Sequence, residues 1–498
     1  MKLYNGYERL PRDYSILCDE YEYTMNEGYI DTGENEKEVV FDLFFRKVPN
    51  GGGYAIMAGL DKVIAYINQL NFKDKNIDYF IRTNHDLDLI EELRNFKFTG
   101  DIYAIPDGTP VFPNEPLITV KAPLSQADIL ETMLLSCING AMEHATGARA
   151  VVEAARKNGC EVVANKKVPI MEFGARRADG PEAAIDASLY GIMAGCVGTS
   201  NCLAADMINQ KALGTMAHHF IETYKDELTS FRAFAKKHPD NCILLVDTID
   251  TLRSGVPNAI KVFKEMQEQN IPTNHIGVRI DSGNLPYLSK EVRKMLNEAG
   301  FPQAKICLSN GLSPKGIEGL LKENAQFESL GVGDNISKPD GRMGCVYKEV
   351  ALKEKNKWVP KMKLSEDTIK ILNPGFKKLY RVFANETGFA LADVMCDINE
   401  ELPKDNLKIV NVTDPTQFTI LNNYTLKELQ VPIFQNGKQV YEDLDIIEQA
   451  KFCDEEMSKI YPETKRLEEP HPHHVSGTEE YVEKKYQLIK KLRNNIYR

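Results

Sequence analysis

The stretch HIGVRIDSGNLPYLSKEVRKMLNEAGFPQAKICLSNG, residues 275–311, holds two short apolar runs with a longer amphipathic segment between them. The runs HIGVRID and AKICLS have the length of buried strands, and PYLSKEVRKMLNEAG has the length and spacing of a helix. A strand, a helix and a second strand in this order connect parallel strands by a right-handed crossover. The stretch therefore predicts one unit of a parallel α/β fold.

The same alternation runs through the middle third of the chain. The other predicted strands are VPIMEFG (168–174), LGTMAHH (213–219), NCILLVDT (241–248) and FESLGVGD (327–334). The other predicted helices are PEAAIDASLYGIMAGC (181–196), GVPNAIKVFKEMQEQ (255–269) and SPKGIEGLLKEN (313–324). Both a (β/α) barrel and a doubly wound sheet accommodate this pattern.

Polar residues at the ends of the runs favour the barrel. They are Arg176-Arg177, His218-His219, Asp247-Thr248, Asp281-Ser282-Gly283, Ser309-Asn310-Gly311 and Gly331-Val332-Gly333-Asp334. In a barrel all parallel strands end on one face, so these groups would converge on a single site. We therefore predict a TIM-like (β/α) barrel that carries its site at the carboxyl ends of the strands.

Composition narrows the class of protein. The chain has 498 residues, enough for two or three domains, and a formal net charge of −11, which argues against a nucleic-acid partner. No apolar run has the roughly 20 residues of a membrane helix, and no signal-peptide core precedes the first motif. The ten cysteines form no C-x-x-C pair, which is typical of reduced thiols in a cytoplasmic protein.

The turns after the runs suggest chemistry with phosphate. DSGN, SNGL and GVGD can aim backbone N–H groups at a phosphorylated ligand, although such turns are also common without one. Asp247 and Asp281 suit Mg²⁺ or ribose hydroxyls, and the alternative is helix capping. Arg176 and Arg279 suit carboxylate or phosphate oxygens, and the alternative is a structural ion pair. Phe173 could stack on a flat ring or pack in the core.

Several longer motifs resemble those of the nicotinate phosphoribosyltransferase family, and the similarity covers essentially the whole chain. The strongest is MEFGARRADGPEAAIDASLYGIMAGCVGTSN (171–201) followed by GTMAHHFI (214–221). The others are DEYEYTMNEGY (19–29), FDLFFRKVPNGGGYAIMAGL (41–60), VRIDSGN (278–284), LSNGL (308–312), KMKLSEDTIKILNPGFKKLYR (361–381) and HPHHV (471–475).

The resemblance implies a type II phosphoribosyltransferase fold and its reaction. Nicotinate and phosphoribosyl pyrophosphate would give nicotinate mononucleotide and pyrophosphate, in NAD biosynthesis or salvage. ATP hydrolysis would be coupled through a phosphorylated histidine, with Mg²⁺ as the metal, in a homodimer with shared active sites. The pattern G-T-x-A-H selects His218 for phosphorylation and leaves His219 as a flanking residue; Glu222, Asp247 and Asp281 remain open as the group that orients His218.

The resemblance also implies substrate contacts. Phe173 would pack on the pyridine ring, Arg176 would pair with the nicotinate carboxylate, and Tyr21 would come from a neighbouring subunit. Arg279 and Asp281 would contact phosphate and ribose, and Gly311 and Gly333 would offer amides to the 5′-phosphate. The remaining implied contacts are Thr215, Ser282, Gly283, Asn310 and the basic residues Lys363 and Lys377, with Lys370 between them.

Some features leave alternatives open. Gly147, in ATGARA, replaces a lysine of many family members, and the histidines of HPHHV suit either a metal or a proline-rich surface loop. The predicted domains are an N-terminal α/β domain (1–135), the barrel (140–350) and a C-terminal lobe (351–498) that packs back on the first. The competing functions are a nicotinamide or quinolinate phosphoribosyltransferase and a catalytically silent nucleotide-binding barrel.

Overall fold

The chain forms two compact units. The computed structural model describes residues 1–4, 6–156, 168–364 and 372–496. Residues 144–340 form one unit, called the central unit here, and residues 1–143 together with 341–498 form the other, called the terminal unit. The predicted barrel therefore overlaps the central unit, while residues of the predicted N-terminal domain and C-terminal lobe share one unit.

The N-terminal segment supplies six helices and five strands among its described residues. The helices are α1 (Glu20–Thr32), α2 (Leu60–Gln69), α3 (Asp74–Arg82), α4 (Leu87–Arg94), α5 (Leu124–Asp128) and α6 (Glu131–Arg156). The strands are β1 (Glu38–Phe44), β2 (Ala55–Ile56), β3 (Asp101–Ala104), β4 (Pro110–Val111) and β5 (Ile118–Pro123).

The central unit is built on one parallel sheet. Its strands are β6 (Ile170–Glu172), β7 (Gly198–Thr199), β8 (Cys242–Leu245), β9 (Ile276–Ile280), β10 (Lys305–Leu308) and β11 (Ser329–Val332). Its helices are α7 (Pro181–Met193), α8 (Cys202–Met207), α9 (His218–Glu222), α10 (Glu227–Lys237), α11 (Val256–Glu268), α12 (Leu285–Glu298), α13 (Pro314–Lys322) and α14 (Asp334–Ser337). The strand order is β7-β6-β11-β10-β9-β8 and every pairing is parallel.

This sheet confirms the predicted fold class, a TIM-like barrel of the type II phosphoribosyltransferase kind, as a curled and incomplete barrel. Ile276, Val278 and Ile280 on β9 are fully buried, as expected for a parallel strand that helices cover. Two of the helices that follow strands begin at side-chain caps. The side chain of Asn284 accepts from the Tyr287 N–H at the start of α12, and Ser313 does the same for Gly316 at α13.

One predicted strand was wrong. Residues 211–217, which include most of LGTMAHH, have no regular secondary structure, and α9 begins at His218. A single backbone bond, from the Leu213 N–H to the Thr199 carbonyl, links this segment to β7. Among the described residues the ladder therefore stays open between β7 and β8, and the histidine pair forms the first two residues of α9.

The C-terminal segment completes the terminal unit. Its strands are β12 (Val346–Glu354), β13 (Lys357–Pro360), β14 (Lys377–Ala384), β15 (Ala390–Asp397), β16 (Leu407–Asn411), β17 (Phe418–Leu421), β18 (Tyr424–Glu428), β19 (Val431–Gln435), β20 (Lys438–Gln439) and β21 (Val475–Thr478). Its helices are α15 (Ile446–Ser458) and α16 (Glu479–Ile496). One sheet has the order β13-β12-β1-β5-β3-β19-β20, so it joins strands from both ends of the chain; a second has the order β17-β16-β21-β15-β14-β18.

A buried polar cluster lies in the terminal unit and includes one histidine of HPHHV. The Arg381 guanidinium donates to both carboxylate oxygens of Asp393, at 2.8 and 2.7 Å, and both residues are buried. His473 Nε2 lies 3.3 Å from Asp393, and its ring stacks on Phe112 with centroids 3.9 Å apart. The His473 side chain is therefore buried, whereas His471, Pro472 and His474 beside it are exposed in the same irregular segment. No group of metal-ligating side chains occurs among the described residues.

Candidate active site

The carboxyl ends of the parallel strands bring the predicted residues of the central unit together. Phe173 directly follows β6, Asp281 follows β9, Ser309 follows β10, and Asp247 lies two residues beyond β8. Because parallel strands point the same way, these positions share one edge of the sheet. Thr215 reaches the same edge from the irregular segment after β7, and His218 reaches it from the start of α9.

Arg279, on β9, is the centre of this cluster. Its guanidinium donates to Ser309 Oγ at 3.0 Å, to Thr215 Oγ1 at 3.1 Å and to the Met216 carbonyl at 3.3 Å. It also lies 3.3 Å from the Asp281 carboxylate and 6.0 Å from the centre of the Phe173 ring. One cation therefore links four of the predicted loops.

Asp247 and Asp281 are adjacent. Asp247 Oδ2 accepts from the Asp281 N–H at 3.0 Å and from Ser282 Oγ at 2.6 Å, whereas Asp247 Oδ1 is buried without a hydrogen-bond partner. Ser309 Oγ donates to the other carboxylate, Asp281, at 2.5 Å. An unpartnered carboxylate oxygen beside a second carboxylate matches the way Mg²⁺ binds through one or two carboxylates plus substrate phosphates. The donor set therefore fits Mg²⁺.

His218 is held by Thr248, which the sequence analysis placed at a strand end but did not consider as a partner of the histidine. Its Nδ1 lies 3.0 Å from Thr248 Oγ1, its Nε2 lies 3.8 Å from Asp281 Oδ2, and its side chain is 40% exposed. Of the three predicted orienting groups, only Asp281 lies near the ring. Thr248 directly follows Asp247 after β8, and this strand-end position was the only available signal. His219 is exposed.

The end of β6 is fixed by a buried carboxylate. Glu172 is fully buried and accepts from the Gly174 N–H, from Ser188 Oγ at 3.0 Å and from Thr199 Oγ1 at 2.5 Å. The next residue, Phe173, lies so close to β11 that a Cβ at Gly331 would come within 2.6 Å of its ring. Glycine at 331 is therefore required for the observed position of the Phe173 ring.

The other predicted contacts in this unit lie on exposed loops. Arg176, Ser282, Gly283, Asn310 and Gly311 are exposed, and Gly333 is half-buried. Asn310 and Gly311 both adopt positive φ angles, 108° and 56°. Their backbones are thus in the left-handed region, where a turn can present N–H groups to a ligand.

Three predicted contacts belong to the terminal unit. Tyr21, on α1, and Lys363 are exposed, and Lys370 lies outside the described residues. Lys377 is buried, and its ammonium pairs with the Asp42 carboxylate and donates to the Gly375 carbonyl at 3.2 Å. Because its charge is already neutralised inside the unit, Lys377 has a structural role in place of the predicted substrate contact.

Close packing explains why position 147, where the resemblance implies a lysine in many family members, is a glycine in this chain. A Cβ at Gly147 would lie 2.7 Å from Pro339 and 2.8 Å from the Asn335 carbonyl. Arg149, two residues on, is buried and pairs with Glu153 at 2.5 Å. This turn of α6 therefore packs closely within the central unit and has no room for a lysine at 147.

Comparisons with known proteins show the family to which the chain belongs. Family models match in three consecutive parts: the nicotinate phosphoribosyltransferase N-terminal domain at residues 16–139, the nicotinate phosphoribosyltransferase family at 168–377 and the C-terminal domain at 376–485. The nicotinate phosphoribosyltransferase of Bacillus subtilis is 36% identical over 486 residues, which cover 97% of this chain and 96% of that protein. The chain belongs to the nicotinate phosphoribosyltransferase family.

Solved structures share the fold. The crystal structure of human nicotinic acid phosphoribosyltransferase superposes with a TM-score of 0.81 at 24% identity, covering 95% of this chain and all of that one. The nicotinate-nucleotide pyrophosphorylase of Pyrococcus furiosus gives 0.68 at 22% identity, covering 92% and 99%. At these identities the likeness concerns the fold alone. Within the described ranges, no helix combines the length and apolar character needed to cross a membrane.

Proposed function

We propose that this enzyme joins nicotinate to phosphoribosyl pyrophosphate and releases nicotinate mononucleotide and pyrophosphate. The ring nitrogen of nicotinate supplies the electron pair for a new bond to C1 of the ribose, while the bond from C1 to the pyrophosphate oxygen breaks and the pyrophosphate keeps that bond's electrons. The observation that carries the proposal is the Arg279 cluster, which combines a cation, two carboxylates and an aromatic ring at one strand edge.

Each side chain has a task that suits its position. Phe173 stacks on the pyridine ring, which lies beside Arg279, and Arg176 supplies a second guanidinium for the nicotinate carboxylate. The amides of Gly311 and Gly333 bind the 5′-phosphate, since both follow strands at this edge. No protein nucleophile is needed at carbon, because positioning and charge stabilisation lower the barrier.

Asp247 and Asp281 would hold Mg²⁺ together with substrate oxygens. A cation held by these two carboxylates would supply positive charge for the diphosphate leaving group. The support is the unpartnered Oδ1 of Asp247, which Ser282 and the Asp281 amide orient through the other oxygen.

ATP hydrolysis is coupled through His218. An imidazole nitrogen attacks the γ-phosphorus, an N–P bond forms, the bond to the bridging oxygen breaks, and ADP leaves; water later cleaves the N–P bond. Thr248 restricts the ring by holding Nδ1, which favours productive attack. We further propose a cytoplasmic homodimer in which Tyr21 and Lys363 complete the site of the neighbouring subunit.

Product formation tests the proposed reaction. The purified protein is incubated with phosphoribosyl pyrophosphate, Mg²⁺ and either nicotinate, nicotinamide or quinolinate, with and without ATP. We expect nicotinate mononucleotide and stimulation by ATP. Product from nicotinamide or quinolinate but not from nicotinate would overturn the substrate assignment, and ligand binding without turnover would favour the silent barrel.

Phosphoryl labelling tests the role of the histidine. With γ-labelled ATP we expect acid-labile label on the wild type and on His219→Ala, and none on His218→Ala. His219→Ala is the matched control, because it removes an adjacent, exposed imidazole, whereas the contact with Thr248 belongs to His218. Label that persists on His218→Ala and disappears from His219→Ala would reverse the assignment.

A further inference from the structure

The terminal unit contains a cavity that the proposed reaction does not use. It has a volume of about 590 Å³ and lies between the β12–β13 hairpin, the loop after β15 and helix α16. This volume falls within the range of small-molecule sites. All of its lining residues belong to the terminal unit, and none is a predicted catalytic residue.

The cavity wall is strongly cationic. Four lysines line it, Lys357, Lys484, Lys485 and Lys491, against the single carboxylate of Asp397. Asp397 is 3.9 Å from Lys484, which also pairs with Glu480 at 2.7 Å. In a protein with a net charge of −11, a cavity with this excess of lysine attracts anions locally.

Lys485 is the unusual member of this set. The residue is only 4% exposed, and its ammonium donates to Asn373 Oδ1 at 2.7 Å and to the Val412 carbonyl at 2.9 Å. Both acceptors are neutral, and no ion pair of Lys485 occurs in the described part of the chain. Burial, with a smaller contribution from Lys377, lowers the pKa of Lys485 to about 8. A buried ammonium without an acidic partner is costly, and a bound anion would remove part of that cost.

The same cavity is also lined by aromatic rings. Trp358 and Phe376 are half-buried and meet edge to face, with ring centroids 5.4 Å apart at 73°. Tyr481 contributes a third ring, whose hydroxyl donates to the Pro374 carbonyl at 2.9 Å. Such faces bind flat rings by stacking.

We propose that this cavity is a second ligand site, which binds a nucleoside monophosphate with its base on Trp358 and Phe376 and its phosphate among the lysines. The juxtaposition of aromatic rings and lysines in one cavity carries the assignment, since an anion without a ring would leave Trp358 unused and a neutral ring would leave Lys485 without a negatively charged partner.

Trp358 allows a direct fluorescence test of ligand binding, because it lines the cavity. Trp358 is the single tryptophan of the chain, so its fluorescence reports on the cavity in the full-length protein. We expect AMP, without Mg²⁺, to change this fluorescence saturably, and adenosine or inorganic phosphate to bind at least tenfold more weakly. Equal affinity for inorganic phosphate and AMP would overturn the aromatic half of the proposal, and no saturable change with AMP would overturn all of it.

Charge variants identify the site. Lys357→Gln combined with Lys491→Gln removes two exposed wall lysines and should weaken AMP binding by about tenfold. Lys490→Gln, exposed on the same helix but absent from the cavity wall, should leave it unchanged. Arg279→Ala should also leave AMP binding unchanged, which separates this site from the strand-edge site. Loss of the fluorescence change in Arg279→Ala, or an AMP affinity in the double variant equal to that of the wild type, would contradict the proposal.

Discussion

At the scale of the residue, Asp281 connects the strand-end groups of the site. Its carboxylate lies 3.3 Å from the Arg279 guanidinium, and its N–H donates to Asp247 at 3.0 Å, in line with the predicted convergence of these three residues. Thr248 was placed at this edge, but its contact with His218 was missed, because a threonine after a strand carries no pattern that indicates its partner. Lys377 was assigned to substrate because spacing along the chain cannot reveal a buried ion pair with Asp42.

The hydroxyl of Thr248 should be needed for efficient phosphorylation of His218. Thr248→Val keeps the shape of the side chain but removes the partner of His218 Nδ1. We expect the rate of labelling by γ-labelled ATP to fall about 2- to 10-fold, as for the loss of one neutral hydrogen bond. Thr273→Val, a change at a half-buried position outside the cluster, is the control. Equal labelling rates for both variants would show that the Thr248 hydroxyl does not contribute to the phosphorylation of His218.

At the scale of the element, apolar runs predicted five of the six parallel strands by position but not the sixth. LGTMAHH was predicted as a strand because it is short and apolar, yet only Leu213 bonds to β7. The sixth strand, β7, has only two residues, too few for any periodicity. The close approach of β6 and β11 at Phe173 and Gly331 also depends on tertiary packing, which a sequence pattern does not contain.

Glu172 should control how the end of β6 presents Phe173. Glu172→Gln puts an amide donor where the carboxylate accepts from Ser188, Thr199 and the Gly174 N–H. We expect the free energy of unfolding to fall by about 1–3 kcal/mol and the KM for nicotinate to rise more than kcat falls.

Glu328→Gln is the matched control for this change. Glu328 accepts from the Ile306 N–H and from Arg293, at the opposite end of the strands. It should lower stability without raising the KM for nicotinate. An unchanged KM in Glu172→Gln, measured on folded protein, would limit Glu172 to a purely structural role.

At the scale of the whole molecule, the two ends of the chain share a unit that contains a buried acidic cluster. Asp128 is buried at the end of α5, and its Oδ2 has no hydrogen-bond partner. Burial, then the negative charges of Glu22, Glu131 and Glu349, raises the pKa of Asp128 to about 8. The folded chain thus keeps this proton to a higher pH than the unfolded chain does. Protonation of Asp128 in the folded chain therefore makes its full contribution to the free energy of unfolding at low pH. This contribution is lost as the pH rises toward about 8.

Neutralising Asp128 should flatten this pH dependence. Between about pH 5 and pH 8, the melting temperature of Asp128→Asn should fall by about 3 °C less than that of the wild type. Asp31→Asn, at an exposed position of the same unit, should follow the wild type. Parallel curves for Asp128→Asn and the wild type would show that Asp128 is already ionised in the folded protein.

The central claim is that loops from separate strands form one site for both substrates, and Arg279→Ala tests it most directly. Arg279 contacts Ser309, Thr215 and Asp281 and lies beside the ring of Phe173. In steady-state assays on folded protein, the account predicts that kcat/KM falls on the order of 100-fold for nicotinate and for phosphoribosyl pyrophosphate alike. Values for both substrates within about twofold of the wild type, a loss of no more than ~0.4 kcal/mol of transition-state stabilisation, would contradict it.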